Sequence, residues 1–278
     1  MGTFWNIFLV VFLVLMKVLG IIAVHEFGHV FALKEYKLKP SMPYFIPAIP
    51  PLGTFGAFVN QKVPPKNRNQ LFDIGISGPI TGFIIAVLFT MIGLVLTVPI
   101  PTDQFINFYT QTHNTYFSSI TLEEAAERIA GEFNNYNLFI FLFKKLLFGD
   151  FNVSLHYGQI LPDYIIQIHP LTFGGWVGLL LTALNSLTAG KLDGGHVARA
   201  VFGRFYWIGT IIGVVILFFI DFFMVLILLL LGGFSKHEGP LNDTIKVSKG
   251  RKIMYVVLII IIIFSIPTSP LTSIYGFL

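Results

Sequence analysis

Residues His25-Glu26-Phe27-Gly28-His29 set two imidazoles four positions apart, with a carboxylate beside the first. On a helix, positions i and i+4 share one face, about one turn apart. Two imidazoles so placed can both reach one Zn²⁺ at about 2.0–2.1 Å. Glu26 then stands where hydrolysis needs a general base. A catalytic zinc also needs a third protein ligand and an open position. The chain has no cysteine, so that ligand must be His, Asp or Glu. Asp193 is the candidate, in the segment Asn185-Ser-Leu-Thr-Ala-Gly-Lys-Leu-Asp193-Gly194-Gly195-His196. A helix-capping carboxylate is the alternative reading of Asp193, and His196 is a rival ligand or a bystander. Gly194 and Gly195 permit a close backbone approach to the site. Asn185 could hydrogen-bond a substrate backbone or a developing oxyanion. A helix–helix polar contact is the alternative for that amide.

The elements that carry these residues are apolar. Of 278 residues, 55% are hydrophobic and 12% charged, against about 25% charged in soluble domains. That composition excludes a soluble globular enzyme, a nucleic-acid binder and a disordered regulator. The net charge of +4 reads as a membrane orientation signal. A bilayer core takes about 20 apolar residues in a helix. Such runs occur at Phe4 to Val24, Ile74 to Pro99, Leu171 to Ala189, Phe205 to Leu231 and Ile253 to Ile266. The first lacks a basic start and a small-residue cleavage site, so it is expected to be retained. The run from Phe205 is expected to turn as a hairpin near Asp221. Ionisable groups at membrane depth are costly, and a functional reading is their default.

The connections set the orientation. Residues 34 to 70 carry Lys34, Lys37, Lys39, Lys62, Lys66 and Arg68 against Glu35. Residues 235 to 252 are likewise basic, whereas the long stretch 100 to 170 is acidic. The positive-inside rule puts the first two in the cytoplasm and the third outside. The ends of the first and third spans then share the cytoplasmic side, so the two motifs can meet. Within the outer stretch, Leu122 to Phe133 has helical spacing. Leu138 to Phe148 is expected either to lie flat in the interface or to pack on the bundle.

The motifs His25 to His29 and Ala183 to His196 resemble the two signatures of site-2 proteases, zinc metalloproteases that cut peptide bonds within membranes. Gly53-Thr54-Phe55-Gly56-Ala57, Ser77 to Gly82, His169-Pro170 and Pro240-Leu241-Asn242-Asp243 are also similar to family elements. Together they look most like the archaeal and chloroplast branch. The resemblance implies one Zn²⁺ per chain held by His25, His29 and Asp193, with Glu26 as catalytic base. The family's asparagine is usually followed three residues later by proline. Here that position is Thr188, which leaves the local break to Gly190.

The expected architecture is an all-α polytopic membrane protein of about five to six transmembrane helices, with a short re-entrant or β-strand loop after the first. It is read as one metalloprotease unit over 1–278, with a core at 4–234, an outer insertion at about 100–170 and a final helix at about 253–267. The loop Tyr44 to Val63 holds Pro47, Pro50 and Pro51, which exclude a long helix. Non-helical backbone at membrane depth must be buried in protein or line a cavity. An exposed strand edge there, with Gly53, Thr54, Phe55 and Gly56, could take up an unwound substrate by backbone pairing. A proline-rich linker is the alternative. Expected partners are transmembrane protein substrates and membrane lipid. Two other classes remain: an ion or proton transporter or channel using the same His/Glu/Asp cluster, and a silent scaffold that binds a partner's transmembrane helix.

Overall fold

The computed structural model describes residues 2–42, 44–47, 54–58, 63–116, 119–132, 138–148, 153–166, 169–190, 192–220, 225–226 and 239–266. The chain is mostly helical. Helix α1 (Gly2–Glu35) leads to a hairpin of β1 (Tyr44–Pro47) and β2 (Thr54–Phe58), then to α2 (Arg68–Val95). Strand β3 (Pro99–Pro101) opens a segment of three helices and three strands: α3 (Thr102–Tyr116), α4 (Leu122–Glu132), α5 (Leu138–Phe148), β4 (Val153–His156), β5 (Gln159–Pro162) and β6 (Tyr164–Ile166). Then come α6 (Pro170–Ser186), α7 (Asp193–Phe202), a 3₁₀ turn, α8 (Tyr206–Ile220) and a last helix α9 (Lys249–Ser265).

Three helical stretches among the described residues are long and apolar enough to cross a membrane: Leu15–Glu35, Arg68–Val95 and Asp193–Val215. Helices α6 and α9 have 17 residues each, about 25 Å at 1.5 Å per residue, below the ~30 Å of a hydrocarbon core. The described residues therefore do not reach the expected five to six spans. The expected hairpin turn near Asp221 lies outside them. The first helix continues past the apolar run through the motif to Glu35, so His25 and His29 stand on one helix as their i, i+4 spacing requires.

The 99–166 segment is not all-α. Strands β3 and β6 pair antiparallel and close the ends of the 99–166 segment onto each other. Strands β4 and β5 form a tight hairpin through Tyr157 and Gly158, both at positive φ. That two-residue turn, flanked by Val-Ser-Leu-His and Gln-Ile-Leu-Pro, is the signal that could have revealed it. Ile106, Ala125, Ala126, Leu161 and Ile165 give this segment a small core of its own. Helix α4 starts with a capping box, Thr121 and Glu124 each bonding the other's backbone N–H. Helix α5 packs on α2 and α9, with Ile140 buried, so it belongs to the bundle.

Helix α2 is the hub. Asn67 caps it, accepting from Gln70 N–H at 3.0 Å. Its small residues let three neighbours approach closely. A Cβ on Gly75 would stand 2.8 Å from His196 Cβ of α7. From α1, a Cβ on Gly28 would stand 2.7 Å from the Ser77 carbonyl oxygen. On α6, Gly175 sits against Thr90 in the same manner. Large apolar side chains stay exposed on α1, α2, α8 and α9, among them Phe31, Val95, Ile212 and Ile253. Such a surface suits lipid rather than water.

Candidate metal centre

Helix α1 delivers His25 and His29 to one face, and α7 delivers Asp193 from its first residue. His25 Nε2 lies 2.8 Å from Asp193 Oδ2, and His29 Nε2 lies 3.2 Å from the same oxygen. The two Nε2 atoms are 3.3 Å apart. In tetrahedral coordination at about 2.0–2.1 Å, neighbouring donors are about 3.3 Å from each other. The three donor atoms thus already stand at nearly the separations a zinc ion imposes. Among the described residues this is the one group of three or more such side chains able to hold a metal ion.

The surroundings fit the same ion. The Ile74 carbonyl accepts from His29 Nδ1 at 2.8 Å. A carbonyl can only accept, so Nδ1 carries the proton and Nε2 keeps its lone pair for a metal. A Cβ on Gly78 would sit 2.1 Å from His29 Nε2 and 2.7 Å from His25 Nε2. Glycine therefore leaves open the space beside the donors that any other residue would fill. Gly82 does the same one turn on, where a Cβ would stand 2.9 Å from His25 Nδ1. His25 is ten residues from the end of α1, so the centre lies about 15 Å inside that helix.

Glu26 is buried, faces no side-chain hydrogen-bond partner among the described residues, and lies within electrostatic reach of His29 and Asp193. Asp193 does not cap α7. Its N-cap is Leu192, without a side-chain cap bond, and the carboxylate goes to the two histidines instead. His196 does not join the donor group. Asn185 sits half-buried near the end of α6, three residues past Thr182, whose hydroxyl lines the Gly82 cleft; it is not among the donors. Thr54, Phe55 and Gly56 lie on β2, which pairs with β1 and runs beside α1. Gly53 lies outside the described residues.

Helix α6 ends at Ser186 without the family proline, and Gly190 follows at φ +48°. The Thr188 carbonyl accepts from the Thr210 hydroxyl of α8. Gly194 then meets the freed end of α6, where a Cβ would stand 1.8 Å from the Ser186 carbonyl oxygen. This contact pins the start of α7, and with it Asp193.

Two ion clusters escaped the sequence reading. Asp243 accepts from Arg199 Nη1 and Nη2, both at 3.0 Å, and from Arg68 Nε at 2.8 Å. Asp73 accepts from Arg251 Nε at 2.7 Å and from Tyr36. A buried arginine on an apolar helix, such as Arg199, is the signal that an anion must be found elsewhere in the chain.

Residues 11–230 match the model of peptidase family M50. The chain is 28% identical over 263 residues to the probable zinc metalloprotease EGY1, chloroplastic, of Arabidopsis thaliana, covering 90% of this chain and 41% of that protein. It is 30% identical over 185 residues to the probable zinc metalloprotease EGY2, chloroplastic, of Oryza sativa subsp. indica, covering 66% of this chain and 28% of that protein. It thus spans less than half the length of either relative. No solved structure matches. With a His–His–Asp donor group set between long apolar helices, and a family match over most of its length, the chain belongs to peptidase family M50, the site-2 protease family.

Proposed function

We propose that this chain is an intramembrane zinc metalloprotease that hydrolyses peptide bonds within or near transmembrane segments of protein substrates. The convergence of His25, His29 and Asp193 on one point, inside helices long enough to span a bilayer, carries this reading. Zinc held there would supply Lewis-acid chemistry for the hydrolysis.

His25, His29 and Asp193 would hold the metal, and the Ile74 carbonyl keeps the His29 ring in the tautomer that leaves Nε2 for it. Glu26 takes a proton from the attacking water and passes it to the departing amine nitrogen. Its lack of a protein hydrogen bond among the described residues supports this role, because its oxygens are free to accept. Asn185 hydrogen-bonds the substrate backbone or the developing oxyanion from the end of α6. A substrate helix must unwind before its carbonyl can be attacked. The β1–β2 hairpin offers an open edge to an extended substrate beside α1.

The lysine and arginine bias of residues 34 to 70 and 235 to 252 supports a cytoplasmic position for the site end of α1, with the 99–166 segment outside. The family match and the tetrahedral donor spacing favour hydrolysis over ion conduction. The test is to purify the chain in detergent, measure zinc per chain, and assay a panel of transmembrane peptides. About one zinc and cleavage inside an apolar segment are expected. Zinc-free protein, or zinc without cleavage of any peptide, contradicts the reading.

A further inference from the structure

We propose that Asp243 is a positioning residue for the metal centre, holding α7, and with it Asp193, in register against α2. The inference rests on the zinc-site reading above and extends it to a segment far from the donors.

Helix α7 touches α2 at two levels. At the donor end, a Cβ on Gly75 would stand 3.0 Å from the Asp193 carbonyl oxygen. At the other end is the ion cluster. Arg199, six residues past Asp193 and 8% exposed, lies about 9 Å along α7 from it. Its guanidinium meets both Asp243 oxygens, while Arg68, the first residue of α2, takes one of them as well. One carboxylate thus ties the two helices together. Two-pronged guanidinium–carboxylate bonding fixes direction as well as distance.

The cluster is built into the backbone. Gly239, at φ +80°, backs onto the Arg199 guanidinium, where a Cβ would stand 2.5 Å from Nη2. Gly203, at φ +62°, backs onto the Arg68 guanidinium, where a Cβ would stand 2.7 Å from Nη2. The Asp243 segment is anchored to the approach of α2. Leu241 N–H donates to the Pro65 carbonyl and Asn242 N–H to the Lys66 carbonyl, both at 2.9 Å. The hydrogen bonds from Arg199, and with them Arg68, hold the Asp243 carboxyl below the ordinary carboxylate range. Without that charge, two guanidiniums confront each other between α2 and α7, one of them buried. Their separation tilts α7 and draws Asp193 Oδ2 away from the two Nε2 atoms.

The test compares the wild type, Asp243→Asn, Asp243→Glu, Arg68→Met and Arg251→Met, each zinc-loaded in detergent. Zinc affinity is read by competition with a chromogenic chelator, and melting is followed separately. Arg251→Met breaks the other ion cluster, whose bonds among the described residues join Arg251 and Tyr36 to Asp73 of α2 and none to α7, and so controls for general destabilisation. Asp243→Asn is expected to bind zinc about 10- to 100-fold more weakly, the range for groups that orient metal ligands. Arg68→Met, the milder lesion, should weaken it in the same direction, and Asp243→Glu should restore most of the affinity. Arg251→Met should melt earlier yet bind zinc as the wild type does. Unchanged affinity in Asp243→Asn and Arg68→Met overturns the proposal. So does equal weakening in Arg251→Met, which would mark a merely structural effect. A wild type that binds no zinc overturns the metal reading itself, and this inference with it.

Discussion

Asp193 and His25 are 168 positions apart in the chain, yet Asp193 Oδ2 lies 2.8 Å from His25 Nε2. The same oxygen is 3.2 Å from His29 Nε2. One carboxylate oxygen completes a set of donors on two separate helices, with α2 between them supplying glycine where its own side chains would intrude.

This relationship predicts a sharp contrast between neighbours on α7. Asp193→Ala should bind zinc at least about 100-fold more weakly than the wild type, because a direct ligand is lost rather than an outer partner worth about 10–100-fold. His196→Ala should keep near-full zinc. Metal analysis of both purified variants checks this, and the reverse pattern would move the third ligand to His196.

Glycine 78 gives a steric prediction. Gly78→Ala puts a methyl group 2.1 Å from His29 Nε2, a distance no real contact tolerates. Zinc affinity should fall by about 100-fold or more, at or beyond the upper end of disturbed outer-shell effects. Gly20→Ala is the matched control on α1, since a Cβ there meets nothing within 4 Å. Full zinc occupancy in Gly78→Ala would mean that the donors are not confined as described.

The meeting of His25, His29 and Asp193 is legible in the sequence because each step is local. The i, i+4 spacing sets the two histidines on one face, and the charge bias of the connections leads to the expectation that both motifs lie at one level. The Asp243 clamp is not legible, since its partners lie 44 and 175 residues away and no periodicity links them. The β3–β6 pair is hidden for a similar reason: its three-residue strands close a long segment, and Pro-Ile-Pro shows no alternation. The apolar run ends at Val24, but the helix does not. In the fold the polar motif is one turn of a continuing helix, its imidazoles turned inward.

The carboxyl of Asp243 gives a pH prediction. Its folded pKa is lowered, so its contribution to stability is fully present above its unfolded value near 3.9 and is lost as pH falls through the lower folded value. Asp243→Asn should therefore melt earlier than the wild type at pH 6–7. The gap should close as pH drops below about 4. Paired melting curves across that range check it, and a gap independent of pH would assign the loss to packing instead of charge.

The hairpin is tested through its backbone. Phe55→Pro and Phe58→Pro each remove an N–H from β2. Cleavage of membrane substrates should drop by about tenfold, the worth of roughly one backbone hydrogen bond, while zinc content stays normal. Unchanged turnover in both variants would reduce the hairpin to a connection.

The most direct test of the central claim is Glu26→Gln, assayed for zinc content and for cleavage of a transmembrane substrate in the same preparation. Glutamine keeps the shape of the side chain but cannot take a proton near neutral pH. Loss of a general base costs on the order of 10²–10⁴ in rate. The account predicts zinc near the wild-type level and cleavage reduced by at least about 100-fold. Cleavage at the wild-type rate would contradict it, and so would loss of the metal, which would make Glu26 a ligand in place of a base.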